Sequence, residues 1–275
     1  QAGGRSVAMT GDGANDAPAI RLADVGIALG SRSTQAAQSA ADLVVLDANI
    51  ETIVDAVVEG RAMWASVRDA VSLLMGGNLG EIGFTLLGSL LDGRPPVNTR
   101  QLLLVNLLTD AAPAMAIAVR PPPDLPPARL LEEGPEASLG EALDQAITMR
   151  ALTTGSAAAA SYAVGRLTGP IGRARTMALV SLVGTQLGQT IVAGGRDPVV
   201  LASGVGSAAL LGVIVQTPGL SRLFGCQPLG PVAMGTAVSC ATAGTVAAAT
   251  IPRAFPDVRL PTIEDLVDRF DGLRA

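Results

Sequence analysis

Several residue types are absent or scarce in this chain of 275 residues. It contains no histidine and no lysine, and aromatic residues make up only 2%. The absence of histidine excludes imidazole catalysis and zinc or copper sites built on histidine. The cysteines Cys226 and Cys240 form no CxxC pair, so neither a disulfide framework nor a thiolate metal site is indicated. The net charge is −5 without any basic run, which disfavours nucleic-acid binding.

Apolar sequence is what the chain has in abundance. Hydrophobic residues make up 49% and the mean hydropathy is +0.44. With so few aromatic residues for a soluble core, this composition indicates long membrane segments, and the lipid bilayer is an expected partner. Charges and prolines separate candidate spans of about 20 residues, the length that crosses hydrocarbon. There are six, at 70–91, 101–119, 151–166, 176–195, 199–218 and 232–250.

The N-terminal part has a different pattern, in which short β-prone runs alternate with helical stretches. The runs at 6–9, 25–29 and 43–46 predict a parallel sheet. From Asn49 an amphipathic helical pattern continues, without proline, into the first apolar segment, which indicates a stalk helix. The predicted fold is therefore an α/β, Rossmann-like segment followed by an all-α bundle of six transmembrane helices. The expected domains are 1–64, the transmembrane part 65–252 and a tail at 253–275.

The loop TGDGANDAPA follows the first predicted strand and carries two carboxylates. Gly11 and Gly13 permit a tight turn, while Asp12 and Asp16 present oxygen atoms toward the same mouth. Such a pair suits Mg²⁺ beside a phosphoryl group, because Mg²⁺ takes one or two protein carboxylates together with a phosphate oxygen. Asn15 adds a hydrogen-bonding amide. Taken by itself, the loop is explained somewhat better as a polar turn that caps the next helix.

Polar residues interrupt the first two spans at helical spacing, so that they share helix faces. Pro113 has no N–H for the carbonyl of Thr109, which makes that oxygen available as a ligand. Oxygen atoms and carboxylates on adjacent helices suit a hard cation, and a carboxylate in lipid is costly unless it is paired, protonated or bound to a metal. A structural role in hydrogen bonding between helices is the alternative. The candidate ligands are Asn78, Glu81, Asn106, Thr109 and Asp110.

The string VAMTGDGANDAPAI resembles the hinge motif of the P-type cation-transporting ATPases, whose phosphorylation domain belongs to the haloacid dehalogenase superfamily. ADVGIALGS and DLVVLDANIETIVDAVVEGRAMW resemble the strands and stalk that follow it, and NLGE and VNLLTDAAPA resemble ion-binding motifs of the calcium-pump-like branch. The resemblance implies that Asp12 is a magnesium ligand, that Asp16 helps to hold the phosphoryl site, and that the five polar residues of the spans bind the transported ion. Gln186 stands where that branch carries an acidic ligand, which favours a single ion site.

The function expected from this resemblance is that of the C-terminal part of an ATP-driven cation pump in the cell membrane. Ca²⁺ is the first candidate ion, followed by Mg²⁺, Mn²⁺ and monovalent cations. The DKTGT-like nucleophile motif is absent from the sequence, so this chain alone is expected to hydrolyse no ATP, and ATP would bind mainly to an N-terminal part not present here. The soluble segment and the C-terminus are expected in the cytoplasm. The alternatives are a membrane-anchored phosphohydrolase and a degenerate, non-catalytic membrane subunit.

Overall fold

The structure is a computed structural model that describes residues 1, 3–47, 49–120 and 140–255. The greater part of the expected tail at 253–275 therefore lies outside the described residues. The chain divides into two compact units, one formed by Gln1–Ala62 and the other beginning at Met63.

The first unit contains a small parallel sheet with two helices on one face. The strand order is β1–β2–β3, so consecutive strands are neighbours and each connection contains a helix. The two helices contact each other and cover a core that includes Ile20, Ala28 and Ala37. The prediction of three strands in a parallel sheet is confirmed. The elements are β1 (Ala8–Gly11), α1 (Ala17–Leu22), β2 (Val25–Leu29), α2 (Gln35–Ala40) and β3 (Leu43–Val45).

Two aspartates support the amino ends of these strands. Asp24 immediately precedes β2, and its carboxylate accepts a hydrogen bond of 2.8 Å from the backbone N–H of Val7. Asp42 precedes β3 and accepts a bond of the same length from Gly26 N–H. Because the bond from Val7 favours the ionised form, the pKa of Asp24 is lower than its ordinary value of 3.8. Each aspartate thus holds its own strand to the preceding one.

The second unit is helical. A continuous helix, α3, runs from Ile50 to Asp92 and includes the predicted stalk and first span; its residues up to Ala62 belong to the first unit. The second predicted span corresponds to a helix over Thr99–Ala118, in which a π-helical segment, Leu107–Ala114, separates α4 (Thr99–Asn106) from α5 (Met115–Ala118). The helices after residue 140 are α6 (Glu141–Thr168), α7 (Ile171–Gly194), α8 (Pro198–Gln216), α9 (Pro218–Phe224) and α10 (Pro231–Ala254).

Helix α7 lies at the centre of this unit. It contacts α6, α8 and α10 as well as the π-helical segment, and many of its residues are buried. Gly184 and Gly188 face α10, where added Cβ atoms would lie 3.0 Å from Ala241 Cβ and 2.3 Å from Thr245 Oγ1, respectively. The two helices approach closely because these glycines have no side chain.

Five helices of the described part of the chain are long and apolar enough to cross a membrane. The expected third span, 151–166, falls within α6, which is long enough but not among these five. Alanine, serine, threonine and charged residues make α6 less apolar than its neighbours, although it packs against α7 and α10. The structure thus supports a helical membrane unit, and the sixth span remains a prediction.

Candidate functional sites

The Asp12 loop lies at the carboxyl end of β1, the edge of a parallel sheet where α/β proteins place their ligands. The Asp16 carboxylate closes this loop by accepting hydrogen bonds from the backbone N–H groups of Gly13 at 3.0 Å and Asp12 at 3.3 Å. A Cβ atom added to Gly11 would lie 2.5 Å from that of Asp16, so glycine is required there. Asp16 therefore determines the shape of the loop through the same carboxylate that the sequence suggested as a ligand.

Asp12 differs from Asp16 in having a side chain that the loop does not use. Its residue is exposed, and its carboxylate has no hydrogen-bond or ion-pair partner among the described residues. Its backbone carbonyl accepts a 2.8 Å bond from Thr34 N–H, which joins this loop to the one after β2. Thr34, which sequence analysis did not single out, also caps α2 through a 3.3 Å bond from Ala37 N–H. The backbone of Asp12 is thus tied to the neighbouring loop, while its carboxylate has no partner among the described residues and could accept a cation such as Mg²⁺.

The second candidate site lies among the membrane helices and includes a buried acid. Glu81 on α3 is only 6% exposed, and its Oε2 atom has no hydrogen-bond partner in the structure. Asp110, in the π-helical segment, is close enough to repel Glu81 electrostatically. One Asp110 oxygen lies 2.8 Å from the hydroxyl of Thr109, which donates to it. A buried carboxylate beside a second acid is stabilised by a proton or by a bound cation, so this pair is a candidate cation site.

A small cavity of about 10 Å³ lies beside Asp110 and has room for one water molecule or ion. Among the predicted ligands, Thr109, Asp110 and Gln186 line it, and Gln186 also donates a 3.4 Å bond to the carbonyl of Gly77 on α3. Gln189 and Thr190 on α7 complete the polar lining, which sequence analysis missed. They follow Gln186 by three and four residues, so their helical spacing was the available signal.

The structure does not bring all five candidates of the first two spans to this cavity. Asn78 and Asn106 are exposed, and Glu81 is buried nearby without lining it. The π-helical segment explains part of this arrangement. An α-helix would place Asn106, Thr109 and Asp110 on one face, but the wider turn of Leu107–Ala114 rotates the following residues, so that Thr109 is buried while Asn106 is not.

Comparisons with known proteins identify a family for these features. Residues 94–253 match the family model described as "Cation transporting ATPase, C-terminus". The "Probable cation-transporting ATPase I" of Mycobacterium tuberculosis (strain CDC 1551 / Oshkosh) is 47% identical over 290 residues, which cover 95% of this chain and 18% of the relative. The "Calcium-transporting ATPase 4, endoplasmic reticulum-type" of Arabidopsis thaliana is 46% identical over 122 residues, 43% of this chain and 11% of the relative.

A relative with a different named ion is similar over nearly the same length. The "P-type sodium-transporting ATPase4" of Toxoplasma gondii (strain ATCC 50861 / VEG) is 43% identical over 121 residues, which cover 44% of this chain and 9% of the relative. The chain thus spans less than a fifth of the length of each of these relatives.

Proposed function

Because this chain belongs to the cation-transporting P-type ATPases, as part of the C-terminal region of their calcium-pump-like branch, we propose that it forms the membrane ion site of an ATP-driven cation pump. The observation that carries the proposal is the buried Glu81 carboxylate. Its Oε2 atom has no hydrogen-bond partner in the structure, and it interacts electrostatically with a second acid, Asp110. A carboxylate without a partner is costly in lipid, and a bound cation would stabilise the carboxylates of Glu81 and Asp110.

The ligand set proposed for the transported ion consists of oxygen atoms from three helical segments. Thr109, Asp110 and Gln186 line the cavity, and Glu81 supplies the second negative charge beside it. Oxygen ligands and two carboxylates favour a hard cation such as Ca²⁺, with Mg²⁺, Mn²⁺ and monovalent ions as further candidates. Asn78 and Asn106 are exposed in this chain, so we assign them to the site only through contacts with other parts of a complete pump.

The Asp12 loop is proposed as the phosphoryl and magnesium site of the same pump. The free carboxylate of Asp12 would bind Mg²⁺, which neutralises phosphate charge when it is present. Asp16 orients the loop by accepting hydrogen bonds from the backbone N–H groups of Asp12 and Gly13. Gly11 and Gly13 keep the backbone close to the Asp16 side chain, and Asn15 is exposed at the same loop. ATP itself would bind mainly to a preceding part of the pump.

Helix α3 provides a covalent connection from the strands to the ion site. It begins at Ile50, shortly after β3, and continues without interruption through Glu81 to Asp92. At 1.5 Å per residue, Glu81 is roughly 45 Å along the helix from Ile50. A helix of this kind transmits tilt or rotation better than a flexible linker, so movement at its amino end would displace the Glu81 carboxylate.

We propose a multi-pass arrangement in which α6 is the sixth span beside the five apolar helices. Its contacts with α7 and α10 place it within the same helical unit, and its small residues allow close packing. With six spans, the strands and the C-terminus would lie on the same side of the membrane, which we assign to the cytoplasm.

Cation-stimulated ATP hydrolysis by the complete protein that carries this chain tests the proposal. Asp12→Asn is expected to abolish hydrolysis at every cation concentration, because the phosphoryl site loses its free carboxylate. Glu81→Gln is expected to lower the apparent affinity for the stimulating cation at least tenfold while leaving the protein folded. Glu59→Gln is the matched control, since Glu59 is exposed on the same helix. Titrations with Ca²⁺, Mg²⁺, Mn²⁺ and Na⁺ identify the ion.

Two results would contradict the proposal in different ways. Unchanged cation dependence in Glu81→Gln would remove the ion site from α3. Phosphatase activity that is lost in Asp12→Asn but never depends on a transported cation would instead indicate a membrane-anchored phosphohydrolase.

A further inference from the structure

A second, larger cavity lies at one end of the helical unit, where α6 begins and where α7 and α10 end. We call it the Arg150 cavity, and its volume is about 540 Å³. That volume falls within the range of typical small-molecule sites, roughly 300 to 1,000 Å³. The first turns of α6 and the last turns of α7 and α10 form its walls, and Asp69 of α3 also lines it. None of the proposed ion ligands Glu81, Thr109, Asp110 and Gln186 lines this cavity.

Among the described residues, the lining of the Arg150 cavity carries more positive than negative charge. Arg150 and Arg253 line it, and Asp69 is the only acidic lining residue among those described. Asp69 already forms a 2.6 Å ion pair with Arg120, which is 10% exposed and also bonds to the hydroxyl of Ser66 and the carbonyl of Ala193. Arg150 is attracted to Asp69 but makes no ion pair with a described residue. Asp69 is thus paired with Arg120, which does not line the cavity, and among the described residues neither Arg150 nor Arg253 has an ion-pair partner.

The remaining lining is mainly apolar. Alanines from α6, α7 and α10 form much of the wall, together with Val192 and Ile251, and Phe255 stands exposed at the rim. A ligand that fits has an anionic group for the arginines and an apolar part for these side chains. The cavity is lined by the last turns of α7 and α10, two of the helices that are long and apolar enough to cross a membrane, and lipid headgroups lie beside the ends of such helices.

We propose that the Arg150 cavity binds the phosphate headgroup of an anionic phospholipid, with Arg150 and Arg253 as its ligands. Guanidinium groups bind phosphate oxygens through charge-assisted hydrogen bonds that are often bidentate. A role as an entrance for the transported cation is disfavoured, because the excess of positive charge would repel it. A free phosphate ion would satisfy the arginines but would leave the apolar lining without a partner.

The Arg150 cavity is also connected to the candidate ion site through one side chain. Gln189 is 3% exposed and lines both this cavity and the smaller one beside Asp110. Its amide donates hydrogen bonds to the hydroxyls of Thr153 at 3.0 Å and Thr154 at 3.3 Å, so α6 holds it in place. Lipid bound on one side of Gln189 would therefore bias the geometry on the other. This coupling rests on the proposed pump function, whereas lipid binding itself does not.

The test measures lipid retained by the complete protein after purification from nanodiscs that contain phosphatidylcholine and phosphatidylglycerol. Native mass spectrometry gives the ratio of anionic to neutral lipid bound. Each arginine near a headgroup contributes about 1 kcal/mol, or roughly a fivefold change in affinity. We expect Arg150→Gln and Arg253→Gln each to reduce retention of phosphatidylglycerol by about that factor. Arg253 is exposed at the rim, so its replacement leaves the helix packing intact.

Arg196→Gln is the matched control, because Arg196 is exposed in the α7–α8 connection at the same end of the unit and does not line the cavity. It is expected to leave lipid retention unchanged. Equal losses in all three variants would show general attraction of lipid to surface charge and would overturn the site. Displacement of phosphatidylglycerol by millimolar inorganic phosphate would overturn the assignment to a lipid. Cation affinity measured in the same nanodiscs tests the coupling separately, since lipid retention does not require ATP hydrolysis.

Discussion

Asp12 and Asp16 carry the same functional group, but the structure uses them differently. One carboxylate oxygen of Asp16 accepts hydrogen bonds from backbone N–H groups of the loop. The Asp12 carboxylate is exposed and has no partner among the described residues. A magnesium site needs a fixed backbone and an unoccupied carboxylate. In this loop Asp16 fixes the backbone, and Asp12 has the unoccupied carboxylate. Replacement of Asp16 should therefore disturb the backbone, and replacement of Asp12 should remove a ligand.

Gly11→Ala tests how tightly the Asp12 loop is built. The added Cβ would lie 2.5 Å from Asp16 Cβ, so the loop must shift and the bonds to Asp16 must weaken. We expect local opening to become easier by about 1 to 3 kcal/mol, the usual cost of overpacking. Hydrogen exchange at the amides of Asp12 and Gly13 measures it. Gly3→Ala is the control, because Gly3 has open space around it; equal exchange in both variants would contradict this account of the loop.

Asp24 gives the strand pairing a dependence on pH. Its pKa is lowered chiefly by the hydrogen bond from Val7 N–H, so its stabilising contribution is fully present above the ordinary value of 3.8 and is lost as the pH falls through the lower, folded-state value. Asp24→Asn is expected to destabilise the β1–β2 pair at pH 7 and to make little difference once the wild-type carboxyl is protonated. Hydrogen exchange of residues 7–11 at pH 7 and at a pH low enough to protonate Asp24 in the folded state, well below 3.8, measures this, and a difference that persists unchanged at low pH would refute it.

The elements show where sequence patterns were sufficient and where they failed. The β-prone runs and the uninterrupted stalk pattern predicted β1, β2, β3 and α3, because these depend on local propensity and short connections. The π-helical segment at Leu107–Ala114 was not predicted as such. Pro113 has no N–H, so the sequence predicted the loss of one helical hydrogen bond. Whether a helix bends, breaks or widens at such a position depends on how neighbouring groups bond to the free carbonyl oxygens.

The lining of the candidate ion site was predicted only in part for a related reason. Thr109, Asp110 and Gln186 line the cavity as a result of how the π-helical segment packs against α7. Gln189 and Thr190 depend on the same packing, and sequence spacing on one helix does not determine which face meets a second helix. Asp24 and Asp42 were missed because an aspartate before a strand is common and its partner lies on another strand.

The close contact between α7 and α10 depends on two glycines of α7, Gly184 and Gly188, and Gly188→Leu tests it. Even a Cβ atom at Gly188 would lie 2.3 Å from Thr245 Oγ1, so leucine must separate the two helices. We expect a loss of about 1 to 3 kcal/mol in unfolding free energy, seen as a lower thermal unfolding temperature in detergent. Gly206→Leu on α8, where the added side chain has open space, should change it little. Leucine has a higher helix propensity than glycine, so propensity alone predicts no loss, and equal losses in the two variants would contradict the packing account.

The chain as a whole contains two candidate sites, and α3 is continuous from Ile50 to Asp92. The Asp12 loop follows β1 and Glu81 lies on α3, which starts shortly after β3. In the proposed pump, phosphoryl chemistry at the loop changes the position of α3 and thereby the affinity of the carboxylates for a cation. Such coupling is reciprocal, so cation binding at Glu81 and Asp110 should also alter the phosphoryl site.

ATP-driven cation uptake into proteoliposomes that contain the complete protein tests this account most directly. The measurement compares wild type with Asp110→Asn and with the exposed control Glu59→Gln, using radioactive Ca²⁺ first. We expect uptake by wild type and by Glu59→Gln, and at least a tenfold loss of apparent Ca²⁺ affinity in Asp110→Asn, because the ion loses a charged ligand. Uptake by Asp110→Asn with the same dependence on cation concentration as wild type, for whichever ion is transported, would contradict the central claim.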